Sequence, residues 1–225
     1  MILEVCCGNL ESVHEAVKGG APRVELCSRL ELDGLTPLWE ELREARALYP
    51  ALKIHVLIRP REGDFCYDPE EVEQMEADIE TALQLGADGI VIGALTEKGD
   101  VDVDVMQELV SLVGGRASLT FHRAFDVCRW PFEALEVIQK LGFHRILTSG
   151  QAPSAQEGTD LLRELQERAS LTILPGGGVN AANARRILEL SGCRELHASA
   201  SITLMGRKVT DAKKVADILS VTQDL

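Results

Sequence analysis

Ionisable and thiol side chains recur at alternate positions of chain segments rich in Val, Ile and Leu. Alternate residues of a strand face the same side of a sheet, so one choice of parity per strand places all of these side chains on one face. Together they offer thiols for a soft metal, cations for an anion, and carboxylates and imidazoles for proton transfer. The residues on this face are Glu4, Cys6, Glu25, Cys27, His55, Arg59, Thr120, His122, His197 and Ser199.

Cys6 and Cys27 are the candidate metal ligands. Each ends a predicted strand on the shared face, and two neighbouring thiolates favour Cu(I), with His122 or His197 as a third ligand. A second interpretation is that both thiols pack as small apolar side chains, as free cysteines commonly do. Nearby arginines also oppose a bound cation unless buried carboxylates neutralise them. The thiol pair is therefore a copper site or part of the packing.

The remaining cysteines are predicted to serve packing or loops. None of the six cysteines forms a C-x-x-C pair, which argues against a structural zinc site. Scattered cysteines in a reducing cytosol are more typical of free thiols than of a disulfide framework. The remaining four are Cys7, Cys66, Cys128 and Cys193.

Cationic side chains and glycines follow the predicted strands, where a barrel carries its site. The loop after the third strand holds two arginines, and a guanidinium binds carboxylate or phosphate through two parallel hydrogen bonds. The loops after the seventh and eighth strands form the phosphate site of many barrels, and free glycine N–H groups suit an anion. The alternative for the glycines is a tight turn between strand and helix. The candidate anion-binding residues are Arg59, Arg61, Arg123, Gly176, Gly177, Gly178 and Ser199.

His122 is the candidate catalytic acid or base, with Glu25 and Asp126 as candidate catalytic carboxylates. An imidazole titrates near neutral pH, and a carboxylate beside it completes the inventory of a proton-transfer site. The alternative for Asp126 is that it caps the next helix and pairs with Arg123. The alternative for Glu25 is that it balances an arginine or a histidine in the barrel floor.

The segments that carry these residues alternate with helix-like segments along the whole chain. Apolar residues spaced three and four apart predict helices, as at Val72, Met75, Ile79 and Leu83. The eight predicted strands span residues 2–6, 23–27, 53–59, 89–93, 118–123, 145–149, 171–174 and 195–199. Such alternation is typical of a parallel sheet, and eight strands close a barrel, so the prediction is a single (β/α)8 TIM barrel. An open doubly wound sheet would call for G-x-G-x-x-G after the first strand, which is absent.

Polar residues and prolines mark the predicted starts of several helices. Asn9, Thr36 and Asn180 are candidate N-caps, since their side chains can accept the free N–H groups of a first turn. Pro37 and Pro131 occupy candidate first-turn positions, where a missing N–H is tolerated. The last helix is predicted over residues 211–220.

Composition and charge limit the partners. The 225 residues are 45% apolar and 26% charged and contain no linker, which indicates one domain spanning residues 1–225. A formal net charge of −13 argues against binding to nucleic acid, which requires clustered Lys and Arg. The first apolar run is interrupted by Glu4 before it could act as a leader or a membrane span. We therefore expect a cytoplasmic protein with no nucleic-acid or membrane partner.

Several longer motifs together resemble the CutC family, which is named for copper homeostasis. They are LEVC (3–6), RVELCS (23–28), GLTP (34–37), IRPR (58–61), GDF (63–65), TFHRAFD (120–126), RILTSG (145–150) and GGGVN (176–180). The match runs from the first predicted strand to the last. It implies a cytoplasmic TIM barrel that forms homo-oligomers, dimers or tetramers, and binds copper in a copper-tolerance role. The family's copper proposals centre on cysteines, which correspond here to Cys6 and Cys27. The Cys6-Cys7 doublet departs from the usual single cysteine.

Two functional hypotheses remain open from the sequence. The first is a copper homeostasis protein that binds Cu(I) through Cys6 and Cys27. The second is a barrel enzyme that acts on a small phosphorylated or carboxylated metabolite, with arginines and glycines holding the anion while His122 moves protons. The sequence fixes no reaction and no substrate, so the geometry of the site must separate the two.

Overall fold

The structure of the chain, a computed structural model, describes residues 1–204 and 206–225. Its strands are β1 (Ile2–Cys7), β2 (Arg23–Leu26), β3 (Lys53–Leu57), β4 (Gly89–Ile92), β5 (Ser118–Phe121), β6 (Arg145–Thr148), β7 (Thr172–Pro175), β8 (Glu195–Ala198), β9 (Ser201–Leu204) and β10 (Arg207–Thr210). Its helices are α1 (Leu10–Lys18), α2 (Trp39–Leu48), α3 (Pro69–Gln84), α4 (Val103–Val113), α5 (Pro131–Lys140), α6 (Thr159–Arg168), α7 (Ala184–Ser191) and α8 (Ala212–Val221).

Strands β1 to β8 form one parallel sheet that curls into a barrel. Each strand from β1 to β6 pairs with the next along the chain, β8 pairs with β1, and β7 contacts β8. One helix follows each barrel strand, so the chain is a (β/α)8 TIM barrel, as predicted. All eight predicted strands are present, with bounds that differ by at most two residues. Strands β3 and β5 each end two residues before the predicted position, so Arg59 and His122 lie in the turns that follow.

The described chain also contains a separate two-stranded antiparallel sheet, a hairpin that was not predicted from the sequence. Strands β9 and β10 pair with each other and separate β8 from α8. The hairpin follows β8 directly, so it lies at the same end of the barrel as the site loops.

The helices begin where the local chemistry favours them, with three exceptions. The Asn9 side chain accepts the N–H of Ser12 at 2.8 Å, and α5 begins at Pro131, both as predicted. The predicted roles of Thr36, Pro37 and Asn180 in starting helices are wrong, since α2 begins at Trp39 and α7 at Ala184. The Thr36 hydroxyl instead accepts the N–H of Arg59, and the Asn180 amide donates to the carbonyl of Gly178.

The apolar residues form two separate layers. The larger layer lies between the sheet and the helices and includes Leu3, Val5, Ile54 and Ile90, all fully buried. The smaller layer lies inside the barrel, where Cys27 packs with Leu57, Val91, Cys6 and Leu30. Most other inward positions are polar, which is unusual because barrel interiors are normally filled by Val, Ile and Leu.

In the described part of the chain, no helix is both long enough and apolar enough to cross a lipid bilayer.

Candidate functional site

A network of ion pairs fills the amino-terminal end of the barrel interior; we call Glu4, Arg23, Arg145 and Glu195 the floor. Nε of Arg23 on β2 donates to Glu4 on β1 at 2.5 Å, and Arg23 also contacts Glu195 on β8. Nε of Arg145 on β6 lies 3.2 Å from the same Glu195 carboxylate. Each of these side chains is less than one-fifth exposed. Two positive charges thus balance two negative charges away from water, as buried charges require.

His197 on β8 connects the floor to the next layer. Its Nδ1 lies 3.0 Å from Glu4, and its Nε2 lies 3.5 Å from Glu25. Burial opposes a charged imidazole, but Glu25, Cys6 and Glu4 outweigh it and raise the pKa of His197 well above its ordinary value. Burial likewise raises the pKa of Glu4, but hydrogen bonds from His197 and His55 outweigh it and hold that pKa well below its ordinary value. His197 is therefore a buried cation between two carboxyl groups.

Cys6 and Cys27 bring their thiols together beside Glu25. The two Sγ atoms are 3.7 Å apart, and the ligand atoms of all three residues lie within 4.8 Å of one another. Contact with the Cys27 thiol, and then burial, raises the pKa of Cys6 well above its ordinary value. Burial also raises the pKa of Glu25. Cys7 belongs to the outer apolar layer, so of the doublet Cys6 alone faces the barrel interior.

A cavity of about 500 Å³ opens at the carboxyl ends of the strands, and we call it the mouth. This volume is within the range of small-molecule sites. Its charged and polar lining residues are Cys6, Glu25, Asp33, Arg59, His122, Arg123, Asp126, His197, Ser199 and Lys208. Its apolar lining residues include Leu30, Leu57, Phe65, Val127, Leu147 and Val179. The mouth therefore joins one predicted thiol, five of the seven predicted anion-binding residues and the three predicted acid–base residues in one space.

Arg59 is a buried cation held by carbonyl oxygens. It is 5% exposed, and its Nη1 donates to Leu32 at 3.0 Å and to Gly34 at 3.1 Å, while its Nη2 donates to Gly63 at 2.9 Å. Thr36 fixes its backbone, because Thr36 Oγ1 accepts the Arg59 N–H at 3.0 Å. The buried Nε has no acceptor among the described residues. An unpaired buried donor costs about 1–3 kcal/mol, so Arg59 is incompletely satisfied.

His122, which also lines the mouth, carries a second unpaired donor. Burial, and then the Arg59 charge, lowers the pKa of His122 to about 3, so its ring is neutral near pH 7. Its Nδ1 accepts the N–H of Ala124 at 3.2 Å, which places the ring proton on Nε2. Nε2 is buried without an acceptor in the described part of the chain. Phe65 contacts both groups, with its ring centroid 5.0 Å from that of His122 and 4.9 Å from Cζ of Arg59.

Asp126 holds the loops around the mouth together. Its Oδ2 accepts from Nε of Arg123 at 2.7 Å, so the alternative prediction of this pair matches the structure. The same carboxylate accepts the N–H of Ser149 at 2.9 Å and that of Gln151 at 3.2 Å. Its hydrogen-bonding capacity is thus largely occupied by protein groups. This arrangement favours a positioning role over proton transfer.

The glycine loop after β7 forms another wall of the mouth. Gly177 and Gly178 have φ of 98° and 73°, values that residues with a side chain rarely adopt. Both glycines line the cavity. Two side-chain amides stabilise the loop, because Asn180 and Asn183 donate to the Gly178 carbonyl at 3.0 and 2.9 Å. Neither Gly177 nor Gly178 donates its N–H to an acceptor within the described residues.

Two predicted anion-binding residues lie outside the mouth. Arg61 contacts Glu71 in the first turn of α3, and its Nη2 donates to Asp64 at 2.9 Å. Gly176 is buried against Leu147 and His197. The prediction placed Arg61 at the rim because it shares the loop after β3 with Arg59, but its side chain instead bonds to Glu71 and Asp64.

The mouth also contains two charged residues that the sequence analysis did not single out. Lys208 lies on β10 and Asp33 on the loop after β2, and both line the cavity. Sequence signals for the hairpin exist, since Gly206 separates a run containing Ile202 and Thr203 from one containing Val209 and Thr210. Recognising that turn would have placed Lys208 near the strand ends.

Comparison with known proteins gives consistent matches. Residues 1–202 match the model of the CutC family. The family protein CutC of Bacteroides fragilis is 46% identical over 248 aligned residues, covering 100% of this chain and 98% of that protein. Its counterpart in Bacteroides thetaiotaomicron is 51% identical over 199 residues, covering 88% and 80%. A crystal structure of a CutC protein from Streptococcus agalactiae, described there in terms of copper homeostasis, gives a TM-score of 0.84 at 32% identity, covering 88% and 98%.

Proposed function

This chain belongs to the CutC family, and from that membership and the thiol geometry we propose that it is a copper homeostasis protein that binds Cu(I). The observation that supports the proposal is the 3.7 Å separation of the Cys6 and Cys27 Sγ atoms at the base of the mouth. One small ion can bridge two sulfurs this close with little movement of either side chain. Both thiols are free to ligate, because neither is in a disulfide.

The donor set favours Cu(I) over harder cations. Thiolates are soft ligands, and Cu(I) accepts two or three of the soft or imidazole type. His197 contacts both Cys6 and Glu25, so it is the candidate third ligand, on condition that Cu(I) displaces the proton from its Nε2. Glu25 offers a hard oxygen that suits Cu(I) poorly, and we assign it to balancing the local charge. Cu(I) is the protein's cargo in this proposal rather than a resident cofactor.

The arginines of the mouth do not prevent a cation from binding at the thiols. Arg123 is paired with Asp126, so that charge is largely neutralised. The carboxylate of Glu25 lies within 4.8 Å of both sulfurs. A negative group beside the ion reduces the repulsion from Arg59.

Competition for Cu(I) with a chromogenic chelator tests the proposal. We expect the purified protein to bind one Cu(I), and the Cys6→Ala, Cys27→Ala double variant to lose stoichiometric binding. X-ray absorption of the loaded protein should show sulfur neighbours at the copper. Equal Cu(I) affinity of the double variant and the unmodified protein would contradict the proposal.

Two cysteines outside the mouth provide matched controls. Cys7→Ala removes a thiol next in sequence to Cys6 but in the outer layer, and Cys66→Ser removes one on the loop after β3. Both variants should bind Cu(I) as the unmodified protein does. Loss of binding in either control would show that the Cys6–Cys27 pair alone does not form the site.

The same family membership supports a cytoplasmic, homo-oligomeric protein. Six free cysteines in the described chain suit a reducing compartment, where thiols persist. Light scattering on the eluted protein should give a mass that is a multiple of the chain's 24.6 kDa. A mass equal to one chain over the working concentration range would contradict the proposed assembly.

A further inference from the structure

We propose that the mouth contains a second ligand site, separate from the thiol pair, which binds the carboxylate or phosphate group of a small organic molecule through Arg59, His122, Lys208 and the glycine loop. Arg59 and His122 both line the cavity, and each carries one buried N–H that has no acceptor among the described residues. Both residues are at most 5% exposed. A ligand oxygen supplies the acceptor that both donors lack.

The charge of Arg59 makes the ligand an anion rather than a neutral acceptor. Its three protein acceptors are the carbonyl oxygens of Leu32, Gly34 and Gly63, and no described carboxylate forms an ion pair with it. A buried cation needs a negative partner, and a bound anion provides one.

The other charged residues of the mouth do not act as a counter-ion for Arg59. Asp126 is paired with Arg123, and Glu25 lies 3.5 Å from the charged ring of His197. Lys208 and Asp33 are both exposed at the rim of the cavity. The charges of these two pairs, Arg123 with Asp126 and His197 with Glu25, neutralise each other. Arg59 remains as the buried charge without a counter-ion in the part of the chain that the structure describes.

The backbone and the apolar wall define the rest of the ligand. The N–H groups of Gly177 and Gly178 are unpaired within the described residues, and backbone N–H groups of a turn suit an anion. Leu57, Phe65 and Leu147 line the same cavity, so an apolar body attached to the anion is also accommodated. The ligand class is a small organic acid or phosphate ester with an apolar portion.

Titration calorimetry with inorganic phosphate and with 3-phenylpropionate tests the site. The unmodified protein should bind both probes, and Arg59→Gln should weaken each by about tenfold or more, because a charged hydrogen-bond donor is lost. His122→Phe should weaken binding by about threefold to tenfold, since a neutral donor is lost. Saturable binding that is equal in Arg59→Gln and the unmodified protein would overturn the proposal, as would no binding of either probe at about 10 mM.

Arg61→Gln is the matched control, because Arg61 lies in the same loop but outside the mouth. It should bind both probes like the unmodified protein; a loss equal to that of Arg59→Gln would overturn the assignment. If Arg59→Gln fails to fold, NMR of the unmodified protein gives the answer. Phosphate should then shift the Nε–H resonance of Arg59 and leave that of Arg61 in place, and the absence of a shift at Arg59 would overturn the site.

The thiol variant separates this site from the copper proposal. The Cys6→Ala, Cys27→Ala protein should bind phosphate normally, and Arg59→Gln should bind Cu(I) normally. Loss of phosphate binding in the thiol variant would overturn the claim of a separate site. Each proposal can therefore fail without the other.

Discussion

At the floor of the barrel, Arg23 donates to two glutamates, whereas at the mouth Arg59 donates only to backbone carbonyls. Both guanidiniums are 5% exposed, so their burial is the same and their partners differ. The floor is complete within one chain, and this is the arrangement expected of groups that stabilise the fold. The mouth leaves buried donors unpaired, and this is the arrangement expected of groups that await a ligand. Satisfaction of hydrogen bonds, rather than burial or residue type, separates the two regions.

The largest expected effect comes from breaking the floor. Arg23→Met leaves Glu4 and Glu195 buried without their shared cation and should lower the free energy of unfolding by about 3–5 kcal/mol. Urea denaturation followed by circular dichroism measures the change. The control is Arg116→Met, which breaks the exposed pair with Glu80 and should cost less than about 1 kcal/mol. Similar costs for the two variants would show that the floor is not a structural network.

Mild acid should act on the mouth through His122. Its folded-state pKa of about 3 is below the ordinary value of 6.5, so between these values the unfolded chain binds a proton that the folded chain does not. The stability supplied by the neutral ring is therefore present above pH 6.5 and decreases as the pH falls toward 3. From pH 7 to 5.5 this amounts to about 1 kcal/mol, which His122→Phe should remove.

Denaturation in zwitterionic buffers at the two pH values measures this difference without adding an anion to the mouth. Thr120→Val serves as the control, because it changes the strand that precedes His122 without removing a titratable group. The control should keep the full pH difference. If the unfolding free energy of the His122→Phe protein still fell by the same amount between the two pH values, the pH dependence would not come from the His122 ring.

The smallest expected effect is a gain in stability. Thr120 is fully buried, and its Oγ1 has no hydrogen-bond partner in the described chain. Thr120→Val replaces this hydroxyl with a methyl group of similar size, so the unfolding free energy should rise by a few tenths to about 1 kcal/mol. Thermal and urea denaturation both report it. A loss of more than about 1 kcal/mol would indicate that the hydroxyl has a partner, such as a bound water.

The sequence predicts most of the fold and the inner half of the site. Alternation of strand and helix patterns predicts the barrel, and strand parity predicts that Glu4, Glu25, His55 and His197 share its interior, because parity holds wherever the strand itself continues. The close approach of Cys6 and Cys27 follows from the same rule. These successes concern residues on regular strands or, for Cys27, one residue beyond the end of a strand.

The failures concern residues beyond the ends of regular strands. Arg61 lies outside the mouth because Glu71 on α3 and Asp64 in its own loop bind its guanidinium. Lys208 was missed because the hairpin joins two short strands without a strong apolar alternation. Asn180 looks like a helix cap, yet its amide donates to the nearby Gly178 carbonyl. Thr36 also looks like a cap, yet its partner is Arg59, 23 residues further along the chain. Local patterns cannot reveal such long-range partners.

The hydrogen bonds around Arg59 also tie two successive loops to each other. Thr36 accepts the Arg59 N–H, and the Arg59 side chain returns to Leu32 and Gly34, so the loop after β2 and the loop after β3 are interlocked. Exchange of either loop alone with that of another barrel would remove one half of these contacts. For loop grafting and recombination between related barrels, the two loops therefore constitute one transferable unit, with a crossover permitted before β2 or after α3 but not between them.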